Sequence, residues 1–376
     1  MKHAIIFFFL FLTAVSANAQ SFKTNFLKYS STGLNSESGA DFIDFDGDGN
    51  LDVLAGFESR KHLLLFKNQE NTFDIEALSD TSYGFGLIKR VDFNQDGFDD
   101  ILVSQRDNGT SYNVYLYLND SNYNYTTHFV FSTGYDRIEH IDVADMDADG
   151  DLDLVIDVFA NSNVFYKVTN NGNYSFTSSH IAFVGQPAEL YGLADLNNDG
   201  LMDVVGAYYN FSVSKFILVA AENDTALTSG FVIHNIDTMA NTNEGVVGNF
   251  VGTSLPDIFL SAQTSGTTAA VWQNNGNFTF SLVTQPVVPT SARVFLPNDY
   301  DGDGDLDVIL STFSAIEILK NNGNSTFTRQ VIAPNAYINP VAWDDFNNDG
   351  LNDLLLQYRG NILVYAQNSN GQYHKF

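Results

Sequence analysis

The nonapeptide DYDGDGDLD at 299–307 sets five aspartates at alternate positions. Carboxylates this close repel one another unless something neutral or positive sits between them. The chain nevertheless repeats the arrangement, which fits D-x-[DN]-x-[DN]-G-x-x-D. It occurs as DFDGDGNLD at 44–52, DFNQDGFDD at 92–100, DMDADGDLD at 145–153, DLNNDGLMD at 195–203, DYDGDGDLD at 299–307 and DFNNDGLND at 345–353. Midway through the one double-length gap lies NFVGTSLPD at 249–257, which keeps the frame and Asp257 but loses the other acids. Counting this degenerate copy, seven loops follow one another at steps of 46 to 54 residues and fill residues 20–376, leaving no room for a second domain.

Each repeat has one plan. A short apolar strand enters the acidic loop, and an apolar run such as DVLAGF (52–57) or DVILST (307–312) leaves it. An alternating strand follows, as in NVYLYLN (113–119), then an Asn/Gly turn such as NNGN (170–173, 274–277, 321–324) and a strand such as FTFSLV (278–283). Period-two stretches bounded by turn residues mean four strands per unit, and no segment sustains a 3.6-residue apolar period. The fold class is therefore all-β: a seven-bladed β-propeller of four-stranded blades with calcium-binding loops. Parallel β-helix coils are much shorter than this repeat, and a string of β-sandwiches would need about 100 residues per unit. At the ends, SFKTNFLKYS (21–30) and GQYHKF (371–376) both read as outer strands, and one of them completes the last blade.

The loop chemistry answers the charge problem. Oxygen side chains at positions 1, 3 and 5, a sharp glycine turn at 6, a backbone carbonyl at 7 and an aspartate at 9 offer the six to eight oxygens that Ca2+ takes. Position 1 is Asp44, Asp92, Asp145, Asp195, Asp299 and Asp345; position 3 is Asp46, Asn94, Asp147, Asn197, Asp301 and Asn347. Position 5 is Asp48, Asp96, Asp149, Asp199, Asp303 and Asp349, and the carbonyl donors at 7 are Asn50, Phe98, Asp151, Leu201, Asp305 and Leu351. Asp52, Asp100, Asp153, Asp203, Asp307 and Asp353 close the loops. About six Ca2+ ions are expected, and none at 249–257, where Asn249, Val251, Thr253 and Ser254 replace the ligands and the glycine. The absence of cysteine from the chain and of histidine from the loops argues against zinc or copper, and Mg2+ would keep several waters.

Residues 1–19 read as a secretory signal peptide: a basic start, an apolar run from Ala4 to Val15, and Ala17-Asn18-Ala19 before the cut. The run is short for a membrane span. The expectation is a secreted, extracellular, cell-surface or periplasmic product with no transmembrane segment after cleavage. The formal net charge of −28 argues against nucleic acid and anionic lipid as partners, since both require basic patches.

With these loops and the NNGN-F turn that follows them, the chain resembles FG-GAP/VCBS repeat proteins, the propeller repeat also seen in the head of integrin α chains. The strict Phe-Gly…Gly-Ala-Pro signature survives only as YGFG (83–86) and VGAY (205–208). The resemblance implies calcium binding and extracellular work as an adhesion or binding module for glycan or protein partners. It also admits seven-bladed lectins and some polysaccharide lyases, so fold alone leaves function open.

No catalytic motif marks an enzyme: there is no nucleophile elbow, no H-E-x-x-H and no cysteine. His140, just before the third loop, reads as a strand histidine with a local partner that reaches the central channel. Residues five or six positions before each loop differ between blades while the loops repeat: Ser38, Gly86, Glu139, Glu189, Glu244, Arg293 and Asn339. A propeller places them near the channel mouth opposite the calcium loops. Glu139, Glu189, Glu244, Arg293 and Asn339 are the ligand-binding candidates there. Trp272 and Trp343 fall on strands, where core packing is their expected role.

Overall fold

The structure is a computed structural model. It describes residues 39–375 apart from 58–61, 70–71, 81–83, 108–110, 121, 123, 160–163, 182, 184–185, 226, 228–229, 241–243, 263–267, 285, 289–291, 313, 335–338, 359–360 and 372. Signal-like residues 1–19, the stretch 21–30 and Ser38 lie outside the described residues.

Seven antiparallel sheets of four strands follow one another, each built from four consecutive strands. The blades, numbered in chain order, span 40–80, 84–134, 137–181, 186–239, 245–284, 293–334 and 339–375. Among the described residues there is no helix, and so none long and apolar enough to cross a membrane. Tyr373–Lys375 pairs with Asn361–Gln367 and supplies the outer strand of the seventh blade.

The differing patterns of the four strands have a packing cause. The second strand of each blade is sandwiched between neighbouring blades, so both of its faces are dry. Asp52–Phe57 and Asp307–Ser311 are buried at every residue, which is why they read as continuous apolar runs. Outer strands meet solvent, and Phe176–Ile181 buries only its last residue fully. Seven interblade cores result. Blades one and two share Ile43, Leu54 and Val103, and the sixth and seventh share Ile316 and Leu354. The seventh packs on the first through Phe346, Leu355, Phe42 and Val53, with Phe42 and Phe346 stacked at 5.2 Å.

Polar contacts close the same seam. Arg90, at the end of the second blade's inner strand, donates to Asp344 of the seventh blade at 2.6 Å. Its backbone N–H donates to Asp41 of the first blade at 2.9 Å. Asn348 of the last loop donates to the carbonyl of Gly49 in the first loop at 3.1 Å. Side chains and apolar cores thus join the first and last blades around the ring.

Candidate metal centres and the channel cluster

Every acidic loop leaves its inner strand and turns twice. Position 4 is left-handed in all seven loops: Gly47, Gln95, Ala148, Asn198, Gly252, Gly302 and Asn348 have φ between +57° and +74°. Position 6 is left-handed only in the six acidic loops, where it is Gly49, Gly97, Gly150, Gly200, Gly304 or Gly350 at φ +84° to +95°. A side chain rarely tolerates that geometry. Ser254 stands there in the fifth loop, which therefore lacks the second turn that brings positions 5 to 9 around a central point.

In three loops the carboxylates converge without further help. One oxygen each from Asp44, Asp46 and Asp48, from Asp145, Asp147 and Asp153, and from Asp299, Asp301 and Asp303 lie within 4.8 Å of one another. Asp46 Oδ1 and Asp147 Oδ1, both at position 3, are buried without a hydrogen-bond partner, and so is Asp353 Oδ2. A buried carboxylate oxygen without a donor is costly, and a cation at the loop centre would satisfy it. The donor set is all oxygen, which suits Ca2+. These three loops also carry a lysine from the third strand of their blade. Lys67 approaches Asp46 at 3.9 Å, Lys320 pairs with Asp301, and Lys167 donates to the Met146 carbonyl at 3.0 Å beside Asp147. Where position 3 is Asn94 or Asn197, its amide instead donates to Asp96 at 2.9 Å or Asp199 at 2.8 Å.

The closing aspartate has a second role. Asp203 Oδ2 accepts from Leu196 N at 2.9 Å and Oδ1 from Asn223 N at 2.9 Å. The same pair of bonds recurs at Asp52, Asp100, Asp153, Asp257 and Asp307. The asparagine so positioned then reaches the preceding blade. Asn223 Nδ2 donates to Met146 O at 2.6 Å, Asn274 Nδ2 to Leu196 O at 2.9 Å and Asn321 Nδ2 to Phe250 O at 2.9 Å. The accepting residues sit at loop position 2, and their side chains plug the interblade cores. Loop, third strand and neighbouring blade are thereby one unit. This explains why the fifth loop keeps Asp257 after losing its other acids.

Burial pushes these carboxyls up, and nearby loop acids add to it. Asp52 and Asp353 are raised to about 7, and Asp100, Asp153, Asp203 and Asp307 to about 6, against the pull of the backbone donors. Asp257 is raised by burial without any such neighbouring charge.

The far mouth of the channel holds the remaining candidates. Glu139 pairs with Arg137, Glu189 accepts from the Tyr191 hydroxyl at 3.2 Å, and Glu244 is exposed. Arg293 and Asn339 begin the inner strands of the sixth and seventh blades, and their side chains lie outside the described set. Trp272 is buried and donates to Asp237 at 3.1 Å, and Trp343 packs on the core of the last two blades. Sequence reading singled out His140 with a local partner but missed the two charged groups beside it, Asp142 and Lys89. Asp142 accepts from Lys89 of the second blade at 2.7 Å and lies 3.4 Å from His140. Nothing local in the sequence links residues 89 and 142; only the ring brings their strands side by side.

In sequence, the FG-GAP-like repeat family model matches residues 92–156 and 299–356. These stretches hold the second, third, sixth and seventh loops. No curated protein matches the chain. Among solved structures the chain is similar to an Agrocybe aegerita lectin described as specifically recognising non-reducing terminal N-acetylglucosamine. The TM-score is 0.60 at 17% identity, over 90% of this chain and 92% of that one. At such identity the likeness is one of fold. The chain is a seven-bladed β-propeller in which residues 92–156 and 299–356 match FG-GAP-like repeats.

Proposed function

We propose that this chain is an exported, calcium-stabilised propeller that works outside the cytoplasm as a glycan-binding module. The likeness to a lectin across nine-tenths of both chains is the observation that carries the glycan reading. The orphaned oxygens of Asp46, Asp147 and Asp353 support the metal, and the signal-like residues 1–19 support export. Calcium here is structural: it ties positions 1 to 9 of each acidic loop together and cancels charge that would otherwise strain the ring.

Glycan-array binding of residues 20–376 in calcium, with an EDTA-treated control, tests the reading. Binding to a defined sugar class in calcium is the expected result. A blank array from protein shown to be folded would refute it and turn the search to surface-protein partners and adhesion.

A further inference from the structure

Lysine placement divides the acidic loops into two sets. Loop position 3 is aspartate in blades one, three and six, and asparagine in blades two, four and seven. The side chains at positions 1, 3, 5 and 9 therefore carry four carboxylates in the first set and three in the second. On each third strand, the residues one and three places before the Asn or Gln locked to the closing aspartate share one face. In the first set these pairs are Leu65 and Lys67, Lys167 and Thr169, Ile318 and Lys320. In the second they are Leu116 and Leu118, Ala220 and Glu222, Val364 and Ala366. The fifth blade, with one acid left in its loop, has Val271 and Gln273. A lysine thus stands where the fourth carboxylate stands, and at none of the other blades' positions. With it, every acidic loop carries a net of three negative charges on these side chains. In a chain with 17 basic residues against 45 acidic ones, that matching has a local cause.

The two oxygens of Asp46 have different surroundings. Oδ1 is buried without a hydrogen-bond partner, whereas Oδ2 lies 3.9 Å from the Lys67 ammonium. Lys320 pairs with Asp301 through Oδ2 as well. Lys167 donates to the carbonyl of Met146, the residue before Asp147, at 3.0 Å. Asp147 Oδ1 is again buried without a partner. Lys67 also reaches Glu76 at 3.4 Å, but that carboxylate is 58% exposed and water screens the pair. The asparagine loops need no such cation. Asn94 and Asn197 each give a side-chain N–H to the carboxylate at position 5, so the amide itself relieves the crowding. Glu222, the one acid on the matching strand face of the second set, lies 2.7 Å from His234 of its own blade. Converging carboxylates thus have two remedies here, an amide inside the loop or an ammonium from the third strand.

We propose that Lys67, Lys167 and Lys320 are tethered counter-cations of the first, third and sixth calcium loops, each holding its loop together when the ion is absent and weakening the ion's binding. This role deepens the calcium reading and rests on it. Coulomb's law fixes the direction. The ammonium feels four negative charges in the empty loop but a net of two once Ca2+ is bound. It therefore stabilises the empty loop more than the filled one, and whatever favours the empty state lowers affinity for the ion.

The test titrates calcium into the whole chain, first stripped with EDTA and desalted, in competition with a fluorescent chelator of known affinity. The variant Lys67→Met/Lys167→Met/Lys320→Met keeps each aliphatic stem and removes the charges. About three of its sites should bind calcium roughly three- to tenfold more tightly than in the parent. Its Tm in EDTA should fall below the parent's. Replacing the same three lysines by arginine should keep the parent's affinity. Lys215→Met, at the opposite end of the fourth blade's third strand, should leave both affinity and Tm unmoved. Unchanged or weaker calcium binding in the folded methionine variant would overturn the proposal. Equal tightening of every site would also overturn it, since bulk charge would then be the cause. Should the triple variant fail to fold even in calcium, Lys320→Met is titrated alone: one tightened site is expected, and none would overturn the role. A folded parent that binds no calcium would defeat the calcium reading itself, which is a different result from binding that ignores the lysines.

Discussion

Replacing Asp257 by alanine isolates the structural role of the closing aspartate, because the fifth loop has no other acid to confuse it. Asp257 is fully buried. Its Oδ2 accepts from Phe250 N at 3.0 Å and Val251 N at 2.9 Å, and its Oδ1 accepts from Asn274 N at 2.9 Å. Asp257→Ala leaves three backbone donors without an acceptor. Each such orphan costs about 1–3 kcal/mol, and some water entry brings the total to roughly 3–6 kcal/mol. Unfolding entropy of roughly 2.1 cal/mol/K per residue over about 340 residues makes 1 kcal/mol worth roughly 1.4 °C. The expected fall in Tm is therefore about 4–8 °C, read by thermal unfolding followed by circular dichroism. The fall should be the same in calcium and in EDTA. A melt within about 1 °C of the parent would refute the lock. A fall seen only in calcium would mean that Asp257 ligates an ion, which would refute the separation of the two roles.

Other outcomes follow from the same geometry. Chelation should lower the Tm of the parent protein and calcium should restore it; an unchanged melt in EDTA would sink the metal assignment. Asp147→Asn should lower the Tm in calcium but barely in EDTA, since Asp147 Oδ1 has no hydrogen-bond partner to lose; an equal loss in both would contradict it. Arg90→Met should cost about 1–2 kcal/mol, a buried-pair loss discounted for the side chain's partial exposure. Limited proteolysis should then nick the seam between the first and last blades sooner, and an unchanged digestion pattern would argue against its closing role. Asp157→Ser should raise stability at pH 8 and much less at pH 5. The folded-state pKa, pushed up to about 7, lies above the unfolded value. The native state therefore holds its proton longer and loses stability as pH rises through that window. Equal melting of parent and variant across this range would show that the carboxyl carries no burial cost.

The sequence by itself determined the repeat and, through it, most of the architecture. Seven frames of one pattern carry strand period, turn chemistry and loop geometry locally, and local rules suffice when each unit has the same neighbours. The loss of glycine at Ser254 already marks the fifth loop, because left-handed backbone at position 6 is a property of that residue alone. What only the tertiary structure decided lies between blades. Asp257 is legible as retained, but not as a lock, until Asn274 is seen to pass its amide to Leu196 of the fourth blade. Glu139 and Glu189 read as a varied rim, yet the bonds that fix them are short-range and their shared neighbour, Asp157, belongs to neither inner strand. Lys89 and His140, 51 residues apart in the chain, meet on Asp142 because closing the ring sets consecutive inner strands edge to edge around the channel. A sequence records what each blade is made of. Charges separated by a whole repeat meet only when interblade packing sets their strands side by side.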